Sequence, residues 1–371
     1  MPGAYSRSCG RKAWWRGELM NPPLGIIAEI THRCPLHCVY CSNPLELASR
    51  KDELATEAWL EVFRQGAGLG VLQLFLTGGE PLARNDLTQL VRGAREHKLY
   101  VNLITSGIGL NAARLGELVT AGLDHIQLSF QDSEAAPADA IAGARAHELK
   151  LALAREIAQH EVAFTVNIVV HRQNLQRLPQ MIAMARDLGA SKLEIAHVQY
   201  YGWALRNRSY LLPTREQVEE SRALIESAQK RLEGQMRIEY VLPDYYAKYP
   251  KACMGGWGQK MILITPAGKA LPCHAAEVIP DLEFDRVCEK PLRWIWEESE
   301  AFNRFRGEDW MQEPCKSCER RSHDFGGCRC QAFLLANDAN ATDPVCSLSP
   351  HKEKILLSLA PAPHKASVHR S

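Results

Sequence analysis

The stretch His32–Pro44, HRCPLHCVYCSNP, places Cys34, Cys38 and Cys41 in a C-x3-C-x2-C spacing. Thiolates this close on one loop converge on metal, yet most cysteine-built sites close with four protein ligands. Three thiolates on a cubane iron–sulfur cluster leave one iron free for an outside chelator. The alternative is a zinc knuckle with a distant fourth ligand, His32 or His37. A second group of thiols lies far downstream: Cys253, Cys273, Cys315, Cys318, Cys328, Cys330 and Cys346. No cysteine occurs between Cys41 and Cys253, so the thiol chemistry sits at the two ends of a cysteine-free middle. Cys9 and Cys288 fit no spacing and read as free thiols.

The middle must supply the frame. The chain has 371 residues, 46% hydrophobic and 23% charged, with a formal net charge of +1. That length allows a large α/β domain with an extension. The near-zero charge, without a basic patch interleaved with aromatics, points away from nucleic acid. No apolar run reaches the ~18 residues of a membrane span, and the first nineteen residues lack a signal-peptide core. Twelve cysteines in such a chain are expected to be reduced, in a cytoplasmic protein, and to serve metals. Apolar strand candidates at 24–31, 71–77, 99–105, 125–130, 162–170 and 192–198 alternate with helical patterns, the last helix opening at Pro213-Thr214. Strands this uniformly apolar are covered on both faces, as in a parallel sheet. The expected fold is α/β, a partial (β/α)6 TIM-like barrel, fewer than the eight units of a closed barrel. The Cys34 loop follows the first strand, at the C-terminal strand ends where such folds place their chemistry. The expected division is a tail over 1–19, the barrel over 20–235, a cysteine-rich unit over 236–350 and a weakly ordered tail over 351–371.

After the second strand comes TGGEP, Thr77–Pro81. CPLHCVYC and TGGEP together resemble the radical S-adenosylmethionine (SAM) superfamily. The resemblance implies a 4Fe-4S cluster on Cys34, Cys38 and Cys41, with SAM on the open iron. It implies that Tyr40 packs near the adenine, and that Gly78, Gly79 and Glu80 hold the amino group of SAM. Ser106 and Ser129 then become ribose or carboxylate contacts, against the plainer reading of loop-capping serines. Arg145 is either a carboxylate partner or a solvated helix-start arginine.

Cys253-x14-Gly268-x4-Cys273, then Cys315-x2-Cys318 and a final cysteine, resembles the SPASM extension of peptide-modifying radical SAM enzymes. Where SPASM has a cysteine next, this chain has Asp324, followed by Cys328 and an extra Cys330. The implied sites are Cys253, Cys273, Cys328 and Cys330 for one auxiliary cluster and Cys315, Cys318, Asp324 and Cys346 for the other, each 2Fe-2S or 4Fe-4S. For Asp324 the alternative is a solvated loop carboxylate.

The match becomes specific over residues 20–350. ITHRCPLHCVYCSNPLELA, FLTGGEPLARNDL, YYGWALRNRSYLLPTREQ and RFRGEDWMQEPCKSCERRSHDFGGCRCQAF resemble the PqqA peptide cyclases of pyrroloquinoline quinone (PQQ) biosynthesis, whose aspartate and C-x-C pair they share. The resemblance implies cross-linking of a glutamate γ-carbon to a tyrosine ring in the precursor peptide PqqA. It also implies the chaperone PqqD and a reductase or flavodoxin-type electron donor. The other reading is a thioether-forming or sulfatase-maturing SPASM enzyme, which usually has cysteine at the Asp324 position. The linker 197–208 offers Tyr201, Trp203 and Arg206 either to the peptide or to ordinary packing.

Overall fold

The structure, a computed structural model, describes residues 20–242, 244–359 and 367–370; Cys9 and the tail over 1–19 lie outside them. The six expected strands form: β1 (Gly25–Thr31), β2 (Gln73–Gly78), β3 (Tyr100–Thr105), β4 (His125–Phe130), β5 (Ala163–Val170) and β6 (Lys192–His197). Each pairs in parallel with the next, so the crossover helices must cover the sheet. These are α1 (Thr56–Leu69), α2 (Leu87–Glu96), α3 (Ala112–Thr120), α4 (Ala135–Ala142), α5 (His147–Ile157) and α6 (Leu178–Asp187). Alternation on β1 sorts the two faces: Ile26, Ala28 and Ile30 join Trp59 and Phe63 of α1 in the main core. Ile27 points the other way, into a second core with Leu263, Leu271, Cys273 and Cys330.

After β6 the chain makes two short helices, α7 (Gly202–Arg206) and α8 (Arg208–Leu211). The long α9 (Arg215–Arg231) follows, opened by a capping box between Thr214 and Gln217. The sheet does not stop there, as the expected boundary near residue 235 had it. β7 (Arg237–Val241) adds in parallel to β6. β8 (Met261–Ile264) adds in parallel to β1, with Ile262 opposite Ile26, and β9 (Ala270–Leu271) pairs antiparallel with β8. The order is β7-β6-β5-β4-β3-β2-β1-β8-β9. The cysteine-rich unit is thereby fused to the barrel through backbone hydrogen bonds at the β1 edge. The expected weak tail also begins with order: a helix spans Lys352–Leu359, and its Ile355 is fully buried with Val345 and Tyr245.

Candidate active site

The C-terminal ends of β1 to β4 meet at one rim. The cysteine loop leaves β1 and is tied down at once. Thr31 donates to Glu53 at 2.5 Å, Arg33 reaches the same carboxylate at 3.3 Å, and Arg84 donates to the carbonyls of Ile30 and Leu54. Gly78 and Gly79 lie flat against this turn. Gly79 N–H donates to the Thr31 carbonyl and Glu80 N–H to that of Arg33, both at 2.7 Å. A Cβ on Gly78, whose φ is +120°, would sit 2.3 Å from the Thr31 carbonyl oxygen, and one on Gly79 2.4 Å from that of Arg33. The close approach that demands glycine is thus to the chain's own backbone.

Glu80 is 1% exposed, and its carboxylate is full. Oε1 accepts from Leu82 N–H and the Thr105 hydroxyl, and Oε2 from the Ser106 N–H and hydroxyl. Burial raises its carboxyl above the ordinary value, against the pull of these donors. A carboxylate has about four acceptor directions, so an amine at Glu80 must compete with Ser106. Ser129 offers its carbonyl to Lys150 Nζ at 3.1 Å. Arg145 is exposed on the turn before α5.

Lys150, not singled out by the sequence reading, is fully buried. It donates also to Gln131 Oε1 at 2.7 Å, and Gln131 Nε2 donates to the Tyr40 hydroxyl at 3.0 Å. The chain Lys150–Gln131–Tyr40 fixes the aromatic of the cysteine loop. Burial lowers the Lys150 ammonium, while Cys38 and Glu80 pull it back up. Burial likewise pushes the Cys38 thiol up to about 12, so its use as a ligand requires proton release to metal. Lys150 had a signal: with Leu153, Ala154 and Ile157 it occupies the apolar stripe of α5.

His32 is committed elsewhere: Nδ1 accepts from Ala48 N–H at 3.0 Å, and Nε2 lies 3.3 Å from Glu29. His37 Nδ1 lies 2.6 Å from the Arg370 carbonyl. Glu29 also meets His274 at 3.5 Å, so one β1 carboxylate links the first cysteine loop to the residue after Cys273.

The downstream thiols gather in the two expected sets. Cys273 and Cys330 sulfurs are 3.5 Å apart. Cys253 neighbours Cys273 and Cys328, and this proximity holds the Cys273 and Cys328 thiols well below their ordinary value while raising that of Cys253. The Tyr201 hydroxyl is 3.2 Å from the Cys328 sulfur, so this linker residue belongs to the thiol group. Trp203 is buried with Arg206 stacked over it at 4.9 Å, the ordinary-packing alternative. Asp343 holds the Cys328 turn: Oδ2 accepts from Cys328 N–H at 2.8 Å, and a Cβ on Gly327 would sit 2.5 Å from that oxygen.

Cys315, Cys318, Asp324 and Cys346 line a small hollow with Arg320 and Thr342. Asp324 is 8% exposed, accepting from Gly326 N–H at 3.1 Å and Arg320 Nε at 3.3 Å. Cys288 is exposed and apart from both sets. Among the described residues no three His, Cys, Asp or Glu side chains close on a single metal ion.

Family comparison agrees with this layout. The Radical SAM superfamily model matches residues 28–185 and the SPASM iron-sulfur cluster-binding domain residues 253–319. A PqqA peptide cyclase of Gluconobacter oxydans is 54% identical over 338 residues, 91% of this chain and 94% of the relative. One from Bradyrhizobium diazoefficiens is 55% identical over 340 residues, 91% of this chain and 90% of the relative. Among solved structures, Streptococcus suis SuiB bound to S-adenosylmethionine superposes with a TM-score of 0.72 at 18% identity, covering 88% of this chain and 77% of its own. Native anSMEcpe with bound AdoMet gives 0.62 at 15% identity, covering 91% and 96%. These two share the fold, a radical SAM core with a C-terminal SPASM domain. With relatives this similar along nine-tenths of its length, the chain belongs to the PqqA peptide cyclase family of radical SAM–SPASM enzymes.

Proposed function

We propose that this chain joins a glutamate γ-carbon to a tyrosine ring carbon in the precursor peptide PqqA. The observation that carries the reading is the thiol layout: three on the β1 loop and four beside Tyr201. When bound, SAM and its cluster supply a deoxyadenosyl radical by one-electron cleavage of the sulfonium, and the auxiliary clusters supply an electron acceptor. Hydrogen leaves the γ-carbon, and that carbon bonds to the ring beside the hydroxyl. The ring then gives up one electron and one proton, so the product is two hydrogens lighter.

The chain's residues divide these tasks. Cys34, Cys38 and Cys41 hold the SAM-binding cluster, with Tyr40 fixed through Gln131 and Lys150. Gly78, Gly79 and Glu80 shape the SAM rim together with Ser106, and the Ser129 carbonyl is fixed by Lys150. Cys253, Cys273, Cys328 and Cys330 hold one auxiliary cluster, and Cys315, Cys318, Asp324 and Cys346 the other. PqqD presents the peptide, and a reductase or flavodoxin-type protein supplies the electron. The barrel generates the radical; the SPASM unit shapes the cavity and removes the electron. No helix among the described residues is long and apolar enough to cross a membrane.

The test is mass spectrometry of PqqA after anaerobic incubation with the protein, SAM, a reductant and PqqD. A product two hydrogens lighter, linked between glutamate and tyrosine, is expected. Deoxyadenosine formation with PqqA unchanged would overturn the proposal.

A further inference from the structure

The C-terminal residues return to the first cysteine loop across more than 300 positions of sequence. Arg370 is 6% exposed. Its Nη2 donates to the His32 carbonyl, and its Nη1 lies 3.8 Å from the Cys41 sulfur. Its backbone is clamped as well, with N–H to the His37 carbonyl at 3.3 Å and carbonyl to His37 Nδ1 at 2.6 Å. Asn207, between α7 and α8, brackets Val368: it donates to the Val368 carbonyl at 2.7 Å and accepts from its N–H at 2.8 Å. The same amide donates to the Val39 carbonyl at 2.8 Å, so strap and loop share one anchor. Gly143, at φ +67°, leaves the room: a Cβ there would sit 2.8 Å from His369 Nδ1.

A buried guanidinium needs a counter-charge. Among the described residues no carboxylate pairs with Arg370; what lies against it is sulfur. Lys150 flanks the Cys38 side in the same way, its ammonium on a carbonyl and an amide oxygen. Lys150 faces the Glu80 carboxylate as well as the Cys38 thiol, whereas Arg370 has the Cys41 sulfur and the His32 carbonyl.

We propose that Val368–Arg370 is a strap that completes the cluster site, its guanidinium donating to the Cys41 sulfur and making the cluster easier to reduce. The proposal rests on the three-cysteine reading above. A cation and an N–H···S bond favour the more negative, reduced state. Arg370 thus acts through Cys41 as a positioning and tuning residue.

The experiment compares the reconstituted enzyme with Arg370→Gln, Arg370→Lys and a chain ending at Ser367. Reductive titration is followed by the SAM-sensitive paramagnetic signal. Arg370→Gln and the truncation should lower the reduction equilibrium about tenfold, about 59 mV for one electron. Arg370→Lys, which keeps the charge, should recover most of it. Before reconstitution, Cys41 should be alkylated several-fold faster in the truncated chain, a readout independent of cluster loading. Equal potentials in wild type and Arg370→Gln, or equal alkylation with and without the strap, would overturn the strap. Iron content unchanged by replacing Cys34, Cys38 and Cys41 together would instead overturn the site beneath it.

Discussion

At Cys34, Cys38 and Cys41, local spacing carries the proposal: three thiols on one loop, while His32 and His37 are engaged elsewhere. Replacing all three by alanine should abolish deoxyadenosine formation while the downstream sets keep their iron, as iron and sulfide analysis would report; normal cleavage would exclude this site. Asp324 is less transparent. It stands in the hollow with Cys315, Cys318 and Cys346, yet it also holds Gly326 and Arg320. A carboxylate is a harder donor than a thiolate, so Asp324→Cys should keep the cluster and shift its potential. Asp324→Ala should open one iron and alter the paramagnetic spectrum. Unchanged spectra in both variants would leave Asp324 as a loop staple. Glu80 and Lys150 mark the limit of spacing arguments. GGE names the glutamate but not the four donors that fill it. Lys150 belongs to no motif, and only its place on the apolar stripe of α5 marks it.

At the scale of elements, the six strands were readable because their apolar residues recur at short strand length between helical patterns, near-continuous in β1 and β5 and alternating in β4 and β6. β7 and β8 were not. RIEYV and MILI are short, and what makes them part of the sheet is pairing with β6 and β1, a partnership distant in sequence. The α7–α8 linker is a second non-local case. Read as a cavity wall, it is also the clasp of the cysteine loop: Ala204 N–H donates to the Cys41 carbonyl at 3.0 Å and Asn207 to Val39. Gly202 is the contact point. Its φ is +49°, and a Cβ would sit 2.1 Å from the Asn43 carbonyl oxygen. Gly202→Ala should therefore cost about 1–3 kcal/mol and loosen the loop. The expected readout is selective loss of the SAM-responsive cluster signal with the downstream iron retained. Equal loss at all sites would mean the linker supports the fold generally.

At the scale of the whole molecule, one sheet carries both cysteine regions, so the rim chemistry inherits the stability of the barrel. Two histidines at that rim make this stability depend on pH. His171 follows β5 and is fully buried; His197 ends β6 and is 4% exposed. His171 Nε2 and His197 Nδ1 are buried without a hydrogen-bond partner, while His197 Nε2 lies 2.7 Å from the Tyr240 hydroxyl. Burial holds both rings at about 3, reinforced by Arg177 at His171 and Lys251 at His197. The unfolded chain binds these protons near pH 6.5, whereas the folded one refuses them. Their contribution is therefore complete above pH 6.5 and is lost as pH falls toward 3. Each ring costs about 1.4 kcal/mol per pH unit in that window, an upper figure for rings that relax on protonation. Urea midpoints should fall between pH 7 and pH 5.5. A His171→Gln/His197→Gln chain, whatever its stability at pH 7, should show a shallower dependence. An equal slope in the double variant would place the acid sensitivity in the thiol sites, whose ligands must also be deprotonated to hold metal.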